Sequence, residues 1–181
     1  QQTPALTKLI GVDMKLNADL AKALNNQVNA ELSAAHNYLA MAAYFDASDL
    51  PGFASWFRAQ SQEETQHAMK FYDFIVKRDA DVTLDAIAQP KQNFTSPQNA
   101  IEAGLEMEQG VSAQIHALYA LALEAKDYAS QSLLTWFLDE QVEEEDSFRN
   151  LVTQIKAAGN DPWNLQVLDR ELANRAAGGA E

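Results

Sequence analysis

Apolar residues recur at helical spacing along four long stretches of the chain, alternately three and four positions apart. These stretches consist mainly of good helix formers, and β-branched residues are sparse in them. The chain has only 7 glycines and 5 prolines, and several of them fall between the stretches, as Pro51-Gly52 does. The pattern predicts helices at about 17–46, 52–79, 97–125 and 130–158, with a short fifth helix at about 163–175.

The segment between the second and third predicted helices, residues 80–96, is too long for a tight helical hairpin. It is also polar, so we expect it to run over the surface of the protein as a long crossover. No stretch has the pattern of a β-strand, and no segment repeats another. We therefore predict an all-α, four-helix bundle with a long crossover and a short C-terminal helix, formed by residues 15–181.

Residues 1–14 are predicted to form an N-terminal arm outside this domain. Residues 1–13 lack the charged-then-apolar layout of a secretory signal. Three origins stay open for them: a native arm preceding Met14, a trimmed targeting segment, or a remnant of cloning.

Polar residues interrupt the apolar face of each predicted helix near its middle. On the third helix the inner face is predicted to consist of Ile101, Leu105, Glu108, Ser112, Ile115 and Tyr119. The matching interruptions on the other three helices include Glu31, Glu64, His67 and Glu144. Turning any helix to expose its glutamate would also expose the Phe or Leu residues three and four positions away. We therefore predict that four carboxylates and one imidazole lie in the core at one depth.

Burying these carboxylates requires a partner of opposite charge. An isolated ionised carboxylate in an apolar interior costs several kcal/mol, so it is normally paired or bound to a metal. No Lys or Arg occupies the predicted inner positions. A divalent or trivalent cation is the remaining partner, and the surplus of negative charge suits two such ions. Carboxylate and imidazole ligands fit iron, manganese or zinc.

The overall composition agrees with a cation as the partner. Acidic residues outnumber basic ones 26 to 13, which gives a net charge of −13. This balance repels nucleic acid and anionic membranes, and it attracts small cations. No apolar run approaches the roughly 20 residues that a membrane-spanning helix needs. The chain has no cysteine, which excludes disulfides, thiolate metal sites and thiol nucleophiles.

Four sequence motifs make the chain resemble the non-haem ferritins of bacteria and some algae. They are Asn29-Ala-Glu31-Leu followed by Tyr38, Gln62-Glu63-Glu64-Thr-Gln-His67, Glu106-Met-Glu108-Gln109, and the run from Trp136 to Glu144. The motifs occur in the order and at the spacing of that family, and the resemblance covers roughly residues 15–175. It implies a ferritin-like bundle that binds iron.

The resemblance also implies a set of ligands for two iron ions. Glu31, Glu64 and His67 correspond to the ligands of the first iron, and Glu64 would bridge to the second. Glu108 and Glu144 correspond to the other ligands of the second iron. All five principal ligand positions of the family are thus occupied by ligating residue types.

Further residues of the family pattern surround these ligands. Gln141 is expected close to the second iron. Glu63, Glu140 and Glu143 match a third iron site that is typical of bacterial ferritins. Tyr38 matches the tyrosine that can supply an electron during oxygen chemistry.

Two departures separate the chain from the haem-containing bacterioferritins. Ser147 stands three positions after Glu144, where bacterioferritins and di-iron oxygenases carry a histidine. The turn from Glu64 to His67 also lacks the methionine that clamps haem in bacterioferritin. We therefore expect no haem.

The function that the resemblance implies is iron storage and detoxification. Such a protein is a ferroxidase: it oxidises Fe(II) to Fe(III) with O2 or peroxide and stores the mineral inside a cage of 24 identical subunits. Two alternatives stay open, a di-iron peroxidase or oxygenase that stores no iron, and a cage subunit with an inactive centre. The expected location is the cytoplasm, or a plastid if residues 1–14 are a trimmed transit segment of an algal protein.

Overall fold

The computed structural model describes residues 15–178, with side chains up to residue 174. The predicted N-terminal arm, residues 1–14, lies outside the described residues. In the described part the chain forms five α-helices and no β-strand. They are α1 (Ala18–Ala47), α2 (Pro51–Lys77), α3 (Pro97–Glu124), α4 (Tyr128–Ala158) and α5 (Pro162–Gly178). The all-α bundle predicted from the sequence is confirmed, and none of the described helices is long and apolar enough to cross a membrane.

Three of the four long helices begin at a side chain that caps their free backbone N–H groups. Asn17 accepts hydrogen bonds from the N–H groups of residues 19 and 20, and Asp127 accepts one from Ser130. Ser96 caps α3 by accepting from the N–H of Asn99, with Pro97 as the first helical residue. These residues therefore set where each helix starts.

The crossover between α2 and α3 is fixed to the outside of α1 by two asparagines. Asn25 donates from Nδ2 to the carbonyl oxygen of Asp81 at 3.0 Å and accepts from the N–H of Thr83 at 2.7 Å. Asn29, one helical turn further on, donates to the carbonyl oxygen of Thr83 at 2.9 Å and accepts from the N–H of Asp85 at 2.8 Å. The first part of the crossover, residues 81–85, thus runs along α1.

The bundle core consists of two apolar halves. One half lies where α1 and α4 begin and where α2 and α3 end, and it contains Leu20, Leu24, Phe71, Ile115, Leu134 and Phe137. The other lies around the end of α1 and the start of α2, and contains Tyr38, Phe45, Phe53, Phe57, Ile101 and Phe148. Between them lie the buried residues Glu31, Glu64, His67, Glu108 and Glu144. The polar layer therefore separates two hydrophobic clusters.

The inner face of α3 differs from the predicted one at two positions. Leu105 and Tyr119 are only half-buried, whereas Gly104 and Leu118 are buried. A Cβ atom at position 104 would lie 2.3 Å from Cε1 of Phe148, so α3 turns its glycine towards this ring. The large aromatic side chain on α4 thus takes the space that a leucine on α3 was predicted to fill.

Candidate metal centre

Each long helix places its mid-length glutamate in the centre of the bundle. Glu31 on α1 and Glu108 on α3 are fully buried, and Glu64 on α2 and Glu144 on α4 are nearly so. His67 follows Glu64 by three residues, so the two side chains lie on the same face of α2. The heptad pattern therefore brings together all five principal residues that the sequence singled out.

Glu31, Glu64 and His67 form the first of two groups that can hold a metal ion. One potential ligand atom from each lies within 4.8 Å of those of the others. His67 Nδ1 is 3.2 Å from Glu64 Oε2. Glu31 Oε1 accepts a hydrogen bond from Gln27 Nε2 at 2.9 Å, while Glu31 Oε2 is buried and has no hydrogen-bond partner. Such an unsatisfied buried oxygen is suited to a cation.

The second group consists of Glu63, His67, Glu140 and Glu144, again with ligand atoms within 4.8 Å of one another. His67 Nε2 lies 4.0 Å from Glu140 Oε1, so the imidazole borders both groups. Glu63 and Glu140 are half-buried and open towards the α2–α4 side of the bundle. Glu143, which the sequence associated with them, is exposed and belongs to neither group among the described residues.

Glu108 lies outside both groups and is held by two neighbours. The Tyr38 hydroxyl donates a hydrogen bond to Glu108 Oε1, and Gln141 Nε2 lies 3.1 Å from Glu108 Oε2. The same Gln141 nitrogen is 3.2 Å from Ser112 Oγ, which in turn donates to Glu145 Oε1 at 2.6 Å. Gln141 and Tyr38 therefore orient this carboxylate from two sides.

The layer is electrostatically unfavourable without a cation. Burial, and next the charge of Glu108, raises the pKa of Glu144 to about 10 and that of Glu64 to about 8. Burial also raises the pKa of Glu31, to which the charge of Glu64 adds, and the pKa of Glu108. Protons therefore neutralise carboxylates in the metal-free protein, and a bound metal ion would displace them.

Aromatic rings hold His67 in place. Its imidazole meets the rings of Trp136 and Phe137 edge-on, with centroid distances of 5.5 and 5.8 Å. Phe137 stacks on Phe71 at 4.0 Å in the apolar core, whereas Trp136 is 38% exposed and lies beneath Lys70. No role at the site was predicted for Trp136, because an aromatic residue one position from a core stripe usually only packs.

Two further polar residues at the site, Gln27 and Ser112, lie outside the predicted set of ligands. Gln27 bonds to Glu31, and Ser112 links Gln141 to Glu145. The signal that could have found them is their position, since a polar residue at a buried heptad position needs a polar partner.

Comparison with known proteins agrees with this architecture. A family model described as a ferritin-like domain matches residues 21–158. The bacterial non-heme ferritin of Staphylococcus saprophyticus is 43% identical over 161 residues, which cover 89% of this chain and 96% of the relative. That of Staphylococcus haemolyticus is 42% identical over 161 residues, with coverages of 89% and 97%.

Solved structures give the same result. An open pore ferritin from the hyperthermophilic archaeon Archaeoglobus fulgidus is 42% identical, with a TM-score of 0.87, over 88% of this chain and 98% of that one. A humanized archaeal ferritin is 41% identical, also with a TM-score of 0.87, over 88% and 96% of the two chains. The family model covers well over half of this chain, and the relatives match it nearly end to end. The chain therefore belongs to the ferritin family.

Proposed function

We propose that this chain is an iron-storage ferritin subunit that oxidises Fe(II) at the buried carboxylate layer. The observation that carries the proposal is the convergence of four buried glutamates and one histidine between two apolar clusters. Iron is the substrate of this site, and hard oxygen ligands with one imidazole suit it. The membership of the ferritin family supports the same metal.

The geometry supports two adjacent iron positions. Glu31, Glu64 and His67 would hold the first ion, since their ligand atoms are already grouped. Glu108 and Glu144 would hold the second. Glu64 is the proposed bridge, since burial and then the charge of Glu108 raise its pKa, while its own charge adds to the raised pKa of Glu31. Two-metal sites generally space their ions roughly 3.5–4 Å apart.

The reaction is a transfer of electrons from the metal to the oxidant. Two Fe(II) ions lose one electron each, and O2 takes up two electrons and two protons to give hydrogen peroxide. Peroxide can act as the oxidant in its turn, taking two more electrons and two protons to give water. Carboxylate oxygens favour Fe(III) over Fe(II), so the ligands drive the reaction forward.

We propose a third iron position beside the first two, on the α2–α4 side. Glu63 and Glu140 are half-buried there and share a group with His67 and Glu144. Glu143 is exposed nearby on α4 and would act as an entry ligand. This position would feed iron towards the buried pair and supply a further electron.

The storage part of the proposal requires a cage. We propose that residues 15–181 form one domain, that 24 copies assemble without haem, and that the protein acts in the cytoplasm. The bacterial non-heme ferritins to which the chain is about 42–43% identical support this assignment. The oxidised iron would then collect as mineral inside the cage.

Substitution of the ligands tests the oxidation chemistry. Glu64→Ala and His67→Ala should each abolish rapid Fe(II) oxidation, because each removes a ligand of the first ion, while circular dichroism still shows a helical bundle. The measurement is stopped-flow absorbance after mixing metal-free protein with Fe(II) in air. Glu106→Ala, which removes an exposed carboxylate on α3, is the control and should oxidise iron like the unaltered chain. Unchanged oxidation in both ligand variants would contradict the assignment.

The storage function is tested by particle mass and iron content together. Size-exclusion chromatography with light scattering should give a 24-subunit particle, and iron analysis should find far more iron than the few ions that the sites can bind. A monomer or dimer that holds only two irons would instead favour a redox enzyme without storage.

A further inference from the structure

The carboxylate layer can be approached from two sides of the bundle. On the α2–α4 side lie the half-buried carboxylates Glu63 and Glu140 and the exposed Glu143. On the opposite side, α1 and α3 enclose a groove of about 370 Å³. The two approaches differ in chemistry, and the site that they reach is the same.

The groove is mostly apolar and carries no ionisable side chain. Ala23 and Ala30 from α1 and Ala117 from α3 line it, together with two leucines and three amide side chains. The small alanine side chains leave the space between the helices open. The groove therefore offers a dication neither a carboxylate nor an imidazole. The acidic α2–α4 side does offer both, and it would attract the cation there.

One buried side chain of the groove lining, Gln27, also contacts the candidate metal centre. Gln27 is only 3% exposed. Its Nε2 donates to Glu31 Oε1 at 2.9 Å and lies 3.3 Å from Oε1 of Gln114, an exposed residue of the groove wall. Both amide hydrogens of Gln27 are thereby used, one towards the site and one towards the surface. Rotation of this one side chain would connect the groove to Glu31.

We propose that the α1–α3 groove is the route by which dioxygen reaches the iron pair, with Gln27 as its gate, while Fe(II) arrives from the acidic side. Dioxygen is small, neutral and apolar, so it partitions into apolar grooves and gains nothing from charged ones. Separate routes would let the oxidant reach the buried pair while the iron route is occupied by a cation. This inference rests on the proposed ferroxidase function and adds the path of its second substrate.

Filling the groove tests the route. Ala117→Leu places a larger side chain in the groove from α3, and Ala23→Leu does so from α1; leucine keeps a high helix propensity in both. Ala120→Leu is the matched control, since it adds the same atoms at an exposed position of α3 that does not line the groove. Initial rates of Fe(II) oxidation are measured by stopped flow at a series of O2 concentrations, and Fe(II) binding is measured separately without oxygen.

The groove variants should need several-fold more O2 to reach half of the maximal rate. Their maximal rate at high O2 and their anaerobic Fe(II) binding should match those of the control. The inference is overturned if both groove variants keep the O2 dependence of Ala120→Leu, or if they lose Fe(II) binding instead, which would make the groove an iron route.

Two further results separate this inference from the function on which it rests. If the unaltered protein does not oxidise Fe(II) with O2 at all, the proposed function fails. If it does so, hydrogen peroxide replaces O2 as the oxidant in a second series. A loss confined to O2 supports the apolar route, whereas a loss confined to peroxide overturns it.

Discussion

The hydroxyl of Tyr38 links the apolar core to the carboxylate layer. It is fully buried and donates a hydrogen bond to Glu108 Oε1. Burial, and after it the charge of Glu108, raises the pKa of the phenol well above its ordinary value. The side chain is therefore a neutral phenol at neutral pH. Loss of an electron from a phenol is easiest when its proton can move to a base, and Glu108 is a base in direct contact.

Replacement of Tyr38 by Phe should change how oxygen is consumed. Full reduction of O2 to water takes four electrons, and an iron pair supplies two, so the phenol would provide one of the others. Tyr38→Phe should keep Fe(II) binding and the first oxidation but release more hydrogen peroxide. An oxygen electrode, read before and after addition of catalase, measures that peroxide.

The same variant has a spectroscopic counterpart. Freeze-quenched samples of the unaltered protein should show a transient tyrosyl radical that Tyr38→Phe lacks. Identical radical signals in both proteins would assign the electron to another residue, such as Tyr119 or Trp136. The ring of Trp136 lies 5.5 Å from that of His67, although Lys70 above it disfavours a positive charge there.

For individual residues, helical spacing predicted burial in the bundle better than it predicted hydrogen-bond partners. Glu31 and Tyr38 lie seven positions apart, so both were expected on the inner face of α1, and both are buried. The partner of Tyr38 is nevertheless Glu108 on another helix, which no pattern along one helix can show. Successive residues of a helix are about 100° apart around its axis. Residues 143–145, three consecutive glutamates, therefore cannot all face the core. Glu144 does, Glu143 is exposed, and Glu145 bonds to Ser112.

The short helix α5 caps the start of α2. Leu50 cannot cap α2 with its side chain, and the N–H of Phe53 instead donates to Asp169 Oδ1 of α5 at 2.9 Å. The two helices approach so closely that a Cβ atom at Gly52 would lie 1.7 Å from the carbonyl oxygen of Asp169. Glycine is therefore the one residue that fits at position 52.

Substituting this glycine should undock α5. Gly52→Ala forces the backbone of α5 away from α2, so the hydrogen bond from Phe53 to Asp169 is lost and the thermal midpoint falls. Gly110→Ala is the matched control, because a Cβ atom there meets nothing within 4 Å in the described structure. Since alanine exceeds glycine by about 1 kcal/mol in helix propensity, this control should melt slightly higher than the unaltered chain. Equal midpoints for the two variants, read by circular dichroism, would refute the tight contact.

The sequence predicted the helices themselves closely but not how they are fixed to one another. Residue 17, the predicted start of α1, is the N-cap that directly precedes the helix, and α4 begins two residues earlier than predicted. The crossover was recognised from its length, yet the bonds from Asn25 and Asn29 that hold it depend on the path of the chain in space. For the same reason the burial of Gly104 under Phe148 could not be read from the pattern of α3.

The two apolar clusters stabilise the folded bundle, whereas ionised carboxylates in the layer between them destabilise it. The layer holds four of the 26 acidic residues of the chain, in the place where ionised groups are least stable. The folded, metal-free protein avoids this cost by binding protons, as the raised pKa values show. The periodicity of the chain predicted this layer, since each helix carried its own polar interruption. Assembly into a cage has no such signal, because contacts between copies lie on surfaces that helical spacing does not relate.

The free energy of unfolding of the metal-free protein should therefore fall as the pH rises. The folded-state pKa values of Glu64 and Glu144 are about 8 and about 10, while an ordinary glutamate has 4.5. Between pH 4.5 and these pKa values the folded state binds more protons than the unfolded state. The stabilisation is therefore complete below pH 4.5 and is lost as the pH rises through the folded-state pKa values.

Glu144→Gln removes one of these groups, so its urea midpoint, measured with a chelator present, should decrease less between about pH 6 and about pH 9 than that of the unaltered chain. Glu106→Gln, an exposed carboxylate on α3, is the control and should keep the full decrease. Zn(II), which cannot be oxidised, should reverse the trend, because a metal binds the deprotonated ligands and its affinity increases with pH. A midpoint that does not depend on pH in the metal-free protein would mean that the carboxylates of the layer are ionised even without a metal.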